Sequence, residues 1–378
     1  NRIAIGTGYA DNGNEYGNNT GHVKIYEYDG LSWNQLGLDI EGNEFNDNFG
    51  TALSFSADGA VVAIGAPQSG SELGYVSIFY YDEDNNSWIQ IGNSIYGEIS
   101  NSPGWIPHFG ETISLSSNGL IVAVGAPGNT FGVDPGYVKM FHWVGNSIIG
   151  YSWTQLGQTI NGEDWDDPIG TRLSLSNDGT TVAIEFPNSI RMYNLNEDIW
   201  VQQGGAIDAG EGYEGYGNSL SLSSDGSIVA IGYPYADNIG KVRAYYYDSN
   251  SWIQLGNDVN GYITNSRFGR AVSLNANGDI LAVGAPDYDY PDIITEGNVH
   301  VYSLNTPCAS LLCGDVNLDE QVNSQDAALI LQFIVGLIDL EEQQVENGDV
   351  NNDGSLNSQD AALVLQYIVG LIDELTCD

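Results

Sequence analysis

Two acidic loops near the carboxyl end carry oxygen donors at the spacing of a calcium site. In a loop of this kind, side-chain oxygens stand at positions 1, 3, 5, 9 and 12 and position 7 offers a carbonyl. Carboxylate and amide oxygens suit a hard divalent cation, and flexible seven-fold coordination favours calcium over magnesium. We therefore predict two calcium ions. The predicted ligands are Asp315, Asn317, Asp319, Gln321, Asn323 and Asp326 in the first loop, and Asp349, Asn351, Asp353, Ser355, Asn357 and Asp360 in the second.

The two loops belong to a duplicated segment. "GDVNLDEQVNSQDAALILQFIVGLID" starts at Gly314 and "GDVNNDGSLNSQDAALVLQYIVGLID" starts at Gly348, and 20 of 26 aligned positions are identical. After each loop, apolar residues recur at i, i+4 and i+8, which predicts one buried face of a helix. These residues are Leu329, Phe333 and Leu337, and then Leu363, Tyr367 and Leu371. We expect the two helices to cover each other.

Each loop-plus-helix half resembles the type I dockerin module, since position 12 is an aspartate and no helical pattern precedes the loop. The resemblance extends from Gly314 to about Asp373. It implies that the halves face one another across a pseudo-two-fold axis, and that loop positions 10 and 11 of either half contact a cohesin domain. The matching residues are Ser324, Gln325, Ser358 and Gln359. Further along the helices, where the family commonly has basic residues, this sequence has glutamine and glycine, which leaves the partner open between a cohesin-like domain and another copy.

Three cysteines, Cys308, Cys313 and Cys377, bracket the duplicated segment. No histidine accompanies them, so their placement favours a disulfide that clasps the two ends of a small domain over a metal site. We predict a bond between Cys313 and Cys377. Spacing alone does not fix the connectivity.

The first three hundred residues form a repeat of about 50–60 residues, a period typical of propeller blades. Each complete unit has an alternating strand such as "TALSFS" (51–56), an Asp-Gly or Asn-Gly turn, an apolar strand such as "VVAIGAP" (61–67), a β-branched and aromatic strand, and a strand of the type "SWIQIG" (87–92). Four antiparallel strands repeated radially predict a β-propeller. Six units predict six blades, with seven as the alternative if sequence precedes Asn1.

The first unit lacks its opening strand and the last unit lacks its closing strand. Closure of the ring would then need strands from upstream sequence, from the linker or from another subunit. An exposed sheet edge is also a template for strand addition between copies.

"FGTALSFSADGAVVAIGAP" (49–67) and "FGRAVSLNANGDILAVGAP" (268–286) resemble FG-GAP repeats, the blade type of integrin-α propellers and of many secreted bacterial proteins. The predicted fold is therefore mainly β: a six-bladed propeller over 1–305, a linker over 306–313, and a small α-helical, calcium-binding, dockerin-like domain over 314–378. Some integrin-type blades carry calcium loops. The turns here are too short for that, so we expect no calcium in the blades.

The chain of 378 residues has 50 acidic and nine basic residues, a formal net charge of -41, and all nine bases precede residue 305. This charge argues against nucleic acid as a partner and fits an extracellular or cell-surface location. No window of 18 or more apolar residues predicts a membrane helix. The acidic tail has no cationic side chain of its own and needs a counter-charge.

No catalytic constellation is visible, because the four histidines, at 22, 108, 142 and 300, are scattered and no nucleophile motif accompanies them. We expect a protein that is not an enzyme. Trp33, Trp88, Trp153, Trp200 and Trp252 recur at one blade position, which favours packing over a sugar platform. Glu185 replaces a glycine of the repeat, and we expect it to pair with Arg172 or Arg191 rather than to catalyse a reaction.

These observations predict a secreted structural or assembly protein. Its propeller would be a platform, and its calcium-folded tail would dock to a neighbouring copy or a scaffold in an extracellular filament, sheath or surface layer. The alternatives are a cohesin-docked component that binds or cleaves carbohydrate, with a glycan as ligand, and a cell-surface adhesin.

Overall fold

The computed structural model divides the chain into two compact units, Asn1–Asn305 and Thr306–Asp378. The residues that the structure describes are 1–8, 20–42, 46–68, 73–98, 107–128, 135–146, 150–163, 169–208, 219–286, 297–304, 313–317, 322–340, 342–351, 354–372 and 375. Within these ranges no helix has the length and apolar character needed to cross a bilayer. The predicted linker lies outside the described residues, except for Cys313.

The first unit consists of six antiparallel sheets in chain order, which confirms the predicted mainly-β fold with six blades. Blades 1 to 3 contain β1 (Arg2–Thr7), β2 (His22–Tyr28), β3 (Trp33–Gln35) and β4 (Ile40–Glu41); β5 (Ala52–Phe55), β6 (Val61–Ala66), β7 (Tyr75–Asp82), β8 (Ser87–Gln90) and β9 (Ile95–Tyr96); and β10 (Thr112–Leu115), β11 (Ile121–Ala126), β12 (Tyr137–Asn146), β13 (Gly150–Gln155) and β14 (Ile160–Asn161).

Blades 4 to 6 contain β15 (Leu173–Leu175), β16 (Thr181–Phe186), β17 (Ser189–Asn196), β18 (Ile199–Gln202) and β19 (Ile207–Asp208); β20 (Ser219–Leu222), β21 (Ile228–Tyr233), β22 (Lys241–Asp248) and β23 (Ser251–Asn260); and β24 (Ala271–Leu274), β25 (Ile280–Ala285) and β26 (Asn298–Ser303). As the sequence predicts, the described part of blade 1 has no opening strand and that of blade 6 has no fourth strand.

Each opening strand is joined to the second strand by a tight turn that the sequence specifies. In blade 2, Gly59 has a φ of 68°, a conformation that glycine adopts without a steric penalty. The Asp58 carboxylate accepts hydrogen bonds from the Ser56 hydroxyl (2.6 Å) and the Ala60 N–H (2.9 Å), and the Ser56 hydroxyl oxygen accepts one from the Val61 N–H (2.9 Å). The turn therefore fixes the register of the two strands that it joins, β5 and β6.

Neighbouring blades are joined by hydrogen bonds from backbone N–H groups to serine side chains. In blades 3 to 6, a residue of the opening strand donates to a serine hydroxyl oxygen of the preceding blade. The four bonds are Leu115 to Ser54 (2.9 Å), Leu175 to Ser114 (3.0 Å), Leu222 to Ser174 (3.1 Å) and Leu274 to Ser221 (2.9 Å). The serines of the alternating strands thus connect one blade to the next.

The repeated tryptophans hold the outer parts of adjacent blades together. Each indole N–H donates to a carbonyl of the preceding blade: Trp88 to Leu36 (3.0 Å), Trp153 to Ile91 (3.0 Å), Trp200 to Leu156 (2.9 Å) and Trp252 to Gln203 (3.0 Å). The predicted packing role is confirmed for these four residues. Trp33, at the equivalent position of blade 1, is 47% exposed and lies against Tyr28, with ring centroids 5.2 Å apart.

The described residues of the second unit form three helices, α1 (Ser324–Ile334), α2 (Glu342–Gly348) and α3 (Ser358–Ile368). Its core is formed by Val316, Ala327, Ile330, Val350, Ala361 and Val364. The two halves contribute equivalent residues to this core, as the duplicated sequence predicts.

The predicted buried face of the two helices is only partly correct. Leu329, Phe333 and Leu363 are partly buried, but Leu337 and Leu371 are 73% and 74% exposed, and Tyr367 is also exposed. For Leu337 and Leu371 the reason is that each helix ends earlier than the i, i+8 pattern implies. At the end of α1, Gly336 takes a φ of 72° and the Leu337 N–H donates to the Gln332 carbonyl (2.9 Å), which turns Leu337 away from the core.

Candidate metal and docking site

A fully buried aspartate closes the first loop. One carboxylate oxygen of Asp326 accepts hydrogen bonds from the backbone N–H groups of Val316 (2.9 Å) and Asn317 (3.0 Å), and the other accepts from the N–H of Asn323 (2.8 Å). Asp326 is 0% exposed. The loop therefore folds back on the start of α1, and its two ends meet at this single carboxylate.

The second loop repeats the arrangement. Asp360 is also 0% exposed, and its carboxylate accepts a hydrogen bond from the N–H of Asn357 (2.8 Å). Across the loop, the Asp349 carboxylate accepts from the N–H of Gly354 (2.8 Å), whose φ of 82° allows the sharp turn. The glycine at position 6 of this loop thus aims the aspartate at position 1.

The connecting helix α2 fastens the first loop to the second half. The side-chain amide of Asn347 donates to the Asp315 carbonyl (2.8 Å), and that of Gln344 donates to the Val316 carbonyl (2.9 Å). The Gly314 N–H in turn donates to the Asn347 carbonyl (2.8 Å). Neither residue is predicted from the sequence, because both lie between the duplicated loops and have no counterpart in the repeat.

Asn323 and Asn357 are the N-caps of α1 and α3. The side-chain oxygen of each accepts a hydrogen bond from the backbone N–H two residues on, from Gln325 and from Gln359, both at 2.8 Å. With the aspartate three residues later, each pair forms a capping box. The pattern Asn-x-x-Asp could have predicted the caps. It makes these asparagines helix-capping residues whatever they contribute to a metal ion.

Nine of the twelve predicted ligands lie in described parts of the loops, and Asp319, Gln321 and Asp353 lie outside the described residues. In the ranges the structure describes, no three His, Cys, Asp or Glu side chains converge on one point. The middle carboxylates of both loops are among those outside. The assignment of the ligand set therefore stays a prediction from the sequence.

The described residues fit a hard cation. Buried carboxylates need a compensating charge, and the chain after residue 305 contains no lysine or arginine to supply it. Asp315 is also buried. Only oxygen donors are present in the loops, which suits calcium and does not suit zinc or copper. When bound, calcium would supply the positive charge that the buried carboxylates of Asp315, Asp326 and Asp360 require.

The four predicted partner-contact residues form two equivalent exposed pairs. Ser324 and Gln325 open α1, Ser358 and Gln359 open α3, and all four are exposed. About two and three turns further along, exposed apolar side chains continue the same surface. They are Leu331, Val335, Leu365 and Val369. Each half therefore presents two polar residues at the helix start followed by an apolar stripe.

Cys313 is disulfide-bonded, while Cys308 and Cys377 lie outside the described residues. Leu375 packs against Gly314, next to Cys313 in the chain. This contact brings the two ends of the second unit together and supports the predicted bond between Cys313 and Cys377, which stays a prediction.

The propeller residues singled out from the sequence have structural surroundings. Glu185 is buried, and its backbone N–H donates to the Arg172 carbonyl (3.0 Å). Arg191 forms its ion pair with Glu163 and lies over the ring of Phe186. The hydrogen bond from Arg191 lowers the pKa of Glu163. The predicted pairing of Glu185 with Arg172 or Arg191 stays a prediction.

Residues 313–369 match the family "Dockerin type I domain". This part of the chain is thus a dockerin type I domain; such domains bind calcium, dock to cohesin-type proteins and are typically extracellular or on the cell surface. No curated protein matches the chain.

The solved structures that are similar to the chain include three of low sequence identity. A Bacteroides uniformis protein provisionally named a 6-phosphogluconolactonase is 16% identical, with 81% of this chain and 80% of that chain covered and a TM-score of 0.48. A functionally unknown protein from Desulfotomaculum acetoxidans is 14% identical (76% and 79% covered, TM-score 0.46), and hydrazine synthase from Kuenenia stuttgartiensis is 15% identical (71% and 71%, TM-score 0.41). Similarities at this level carry no information about activity.

Proposed function

We propose that this chain is a secreted, non-enzymatic assembly protein whose propeller is attached to an extracellular structure by its calcium-folded tail. The observation that carries the proposal is the pair of equivalent loop-and-helix halves, each with a fully buried aspartate closing an oxygen-rich loop and an exposed Ser-Gln pair at the helix start. The match of 313–369 to dockerin type I domains supports a protein partner of the cohesin type.

Two calcium ions are proposed, one for each loop. The support is that both loops have the same ligand types at the same positions, and that both position-12 aspartates are buried in the same way. Each ion would lie next to the N-terminus of a helix whose cap and capping box fix the neighbouring backbone. Calcium would therefore order the exposed pairs that contact the partner.

The partner is proposed to be either a scaffold or a neighbouring copy, in a filament, sheath or surface layer. An apolar stripe next to each Ser-Gln pair favours a protein surface as the ligand, because apolar area of this kind is buried in protein–protein contacts. The net charge of -41 favours a partner with basic residues around the contact.

The propeller is proposed to be of the FG-GAP type and to act by presenting a surface rather than by catalysis. The glycines of the Phe-Gly and Gly-Ala-Pro segments, which give the FG-GAP repeat its name, lie against each other across the blade junctions. A side chain on Gly65, for example, would clash with the carbonyl of Gly110. This contact explains why both phrases contain glycine. The tryptophans that could have formed a sugar platform are used between blades at four positions.

The test is a binding measurement on the full chain with immobilised type I cohesin domains, in calcium and then in excess chelator. We expect saturable binding in calcium that is lost with chelator. Analytical ultracentrifugation under the same two conditions distinguishes a scaffold from a neighbouring copy, because self-assembly gives calcium-dependent oligomers without cohesin. A chain that is monomeric in calcium and binds no cohesin would contradict the proposal.

The docking residues give a sharper test. Because either half presents the same pair, we expect replacement of one pair, Ser324→Ala with Gln325→Ala, to weaken binding by about two-fold. Replacement of both pairs should abolish more than about 90% of the binding, because it removes at least one energetically dominant contact. Asp339→Asn, an exposed residue outside both loops, is the control. Full binding by the four-residue variant would contradict the assignment.

A further inference from the structure

One side of blade 6 exposes residues that are buried in every other blade. Val299 and Val301 on β26 are 70% and 68% exposed. At the position of Val299, the other five blades have a residue that is 0% exposed: Val23, Val76, Val138, Ile190 and Val242. At the position of Val301 they have Ile25, Ile78, Met140, Met192 and Ala244, none more than 4% exposed. In those blades the next blade covers both positions.

The covering element at the internal junctions is an eleven-residue opening segment, which runs from Phe-Gly or Ile-Gly to the Asp-Gly or Asn-Gly turn. Fully described examples are 49–59, 109–119, 169–179 and 268–278. Its first residue enters the apolar cluster of the preceding blade, as Phe49 does beside Val23 and Ile40. Each opening segment therefore completes the blade before its own.

The same segment makes three more contacts that recur. The carbonyl of its first glycine lies against a glycine of the preceding blade, in the pairs Gly50–Gly6, Gly110–Gly65, Gly170–Gly125 and Gly269–Gly232. Its turn glycine lies against the first residue of the preceding second strand, in the pairs Gly59–Arg2, Gly119–Val61, Gly179–Ile121, Gly226–Thr181 and Gly278–Ile228. A residue before the turn accepts a hydrogen bond from the preceding turn, as Ala276 does from Ser224 (2.8 Å).

Blade 6 has the receiving half of each contact without its partner. A Cβ at Gly284 would meet only Ala271 of its own blade, at 3.4 Å, and Ile280 is exposed. Within the described ranges nothing donates to the Ser273 hydroxyl oxygen, and the Ala276 N–H has no acceptor. We call Ser273, Ile280, Gly284, Val299 and Val301 the open face.

We propose that the open face binds the opening segment of one further repeat of this type. The occupant is defined by the contacts that recur at the equivalent faces of the other blades: an apolar residue for Val299, a glycine carbonyl for Gly284, a backbone N–H for Ser273 and a turn glycine for Ile280. Such a segment has the pattern aromatic or Ile, Gly, two variable residues, then alternating apolar residues and serines up to Asp-Gly or Asn-Gly.

A second observation supports this occupant. Blade 1 lacks an opening strand among the described residues, and Ile3 and Ile5 on β1 are 39% and 49% exposed, whereas their counterparts in blade 2, Val62 and Ile64, are 0% exposed. An opening segment placed before β1 would pair with its free edge. One opening segment would thus cover the open face of blade 6 and pair with the free edge of β1.

The test uses a synthetic peptide with the sequence of residues 49–59, FGTALSFSADG, labelled for fluorescence anisotropy and titrated with the full chain. We expect saturable binding to the wild type. Gly284→Val should weaken it more than about ten-fold, because the side chain occupies the place of the incoming carbonyl. A peptide carrying Gly50→Val should bind as weakly, because Gly50 has a φ of 93°.

Matched variants separate binding from folding. Gly205→Val is the control, because a Cβ there would meet no atom within 4 Å and Gly205 lies between β18 and β19 of blade 4. We expect Gly284→Val and Gly205→Val to keep the wild-type melting temperature without peptide. Gly232→Val, the same change at an internal junction, should lower it, because its Cβ would clash with the Gly269 carbonyl.

A covalent arm gives a second measurement. With FGTALSFSADG fused directly before Asn1, we expect a higher melting temperature and no binding of free peptide, and Gly284→Val should remove the gain. The proposal is wrong if wild type and Gly284→Val bind the peptide equally, or if the peptide does not bind and the fusion gains nothing. It is also wrong if sedimentation shows a dimer that is dissociated by Gly284→Val but not by the peptide. The occupant of the open face is then a second copy. None of these outcomes depends on calcium or on the tail.

Discussion

At the residue scale, Asp326 combines a loop-closing and a helix-capping role. Its carboxylate accepts three backbone N–H groups, one of them from the N-cap residue. We expect Asp326→Asn to reduce calcium stoichiometry from two ions to one and to destabilise the tail by about 2–4 kcal/mol, because an amide nitrogen cannot accept these hydrogen bonds and the buried charge is lost. Isothermal titration calorimetry and helix melting by circular dichroism measure the two effects.

The exposed Asp339 provides the control for that variant. Asp339→Asn changes the net charge equally and lies outside both loops, so it should keep two ions and the wild-type melting curve. If Asp326→Asn still binds two ions with unchanged affinity, the assigned site is wrong.

The turn aspartates make the propeller sensitive to acid. The Ser56 hydroxyl, followed by the Ala60 N–H, lowers the pKa of Asp58 from its ordinary value of 3.8. A lowered folded-state pKa contributes stability at pH values above 3.8, and this contribution is lost as the pH falls through the folded-state value. We expect the propeller melting temperature to fall below about pH 4, and Asp58→Asn to make that fall shallower.

Blade 3 contains the natural version of this variant. Asn118 accepts the same hydrogen bonds, from the Ser116 hydroxyl and the Leu120 N–H, both at 2.9 Å. Asp58→Asn should therefore fold normally at neutral pH. An unchanged pH slope in differential scanning calorimetry would show that this aspartate does not contribute.

At the element scale, the repeated tryptophan position contributes differently to folding stability in different blades. Trp200 is buried and its indole N–H donates to the preceding blade, whereas Trp33 is 47% exposed. We expect Trp200→Ala to destabilise the propeller by about 3–5 kcal/mol, through the cavity and the lost hydrogen bond, and Trp33→Ala by less than about 1 kcal/mol. Chemical denaturation of the two variants side by side measures the difference. Equal losses would mean that the blade junctions do not depend on the indole contact.

Sequence patterns predicted the elements well where one local rule decides them. The Asp-Gly turns, the apolar second strands and the loop-plus-helix halves follow from turn chemistry and periodicity, and the structure has them. The helix ends were predicted wrongly. Apolar spacing extended α1 to Leu337, but the positive φ of Gly336 ends the helix first.

These patterns do not predict contacts between residues that are distant in the sequence. Gln344 and Asn347 hold the first loop through backbone carbonyls, and a carbonyl can be reached by any donor of suitable length. Likewise, the serines of the opening strands look like the polar half of an alternating pattern. Their hydrogen bonds to the next blade depend on how sheets stack, which a single strand does not encode.

At the scale of the whole molecule, calcium should affect one unit only. The tail has buried carboxylates and no cationic side chain, whereas the propeller core is apolar and its ion pairs use side chains of the same unit. We expect chelator to abolish the helical signal of the tail and to leave the main calorimetric transition of the propeller in place. A shift of that transition by more than about 5 °C would contradict independent units.

The repeated blade junction also bears on how the number of units can change. The junctions between blades 2 and 3, 3 and 4, and 5 and 6 join the same two chemical halves: a serine and a glycine on one blade, and an opening segment that runs from its first glycine to its turn glycine on the next. Recombination that inserts or removes one whole unit recreates an existing contact and demands no compensating substitutions elsewhere. Genes of this architecture can therefore lengthen and shorten by whole repeats, while a break within a unit leaves unmatched halves on both sides.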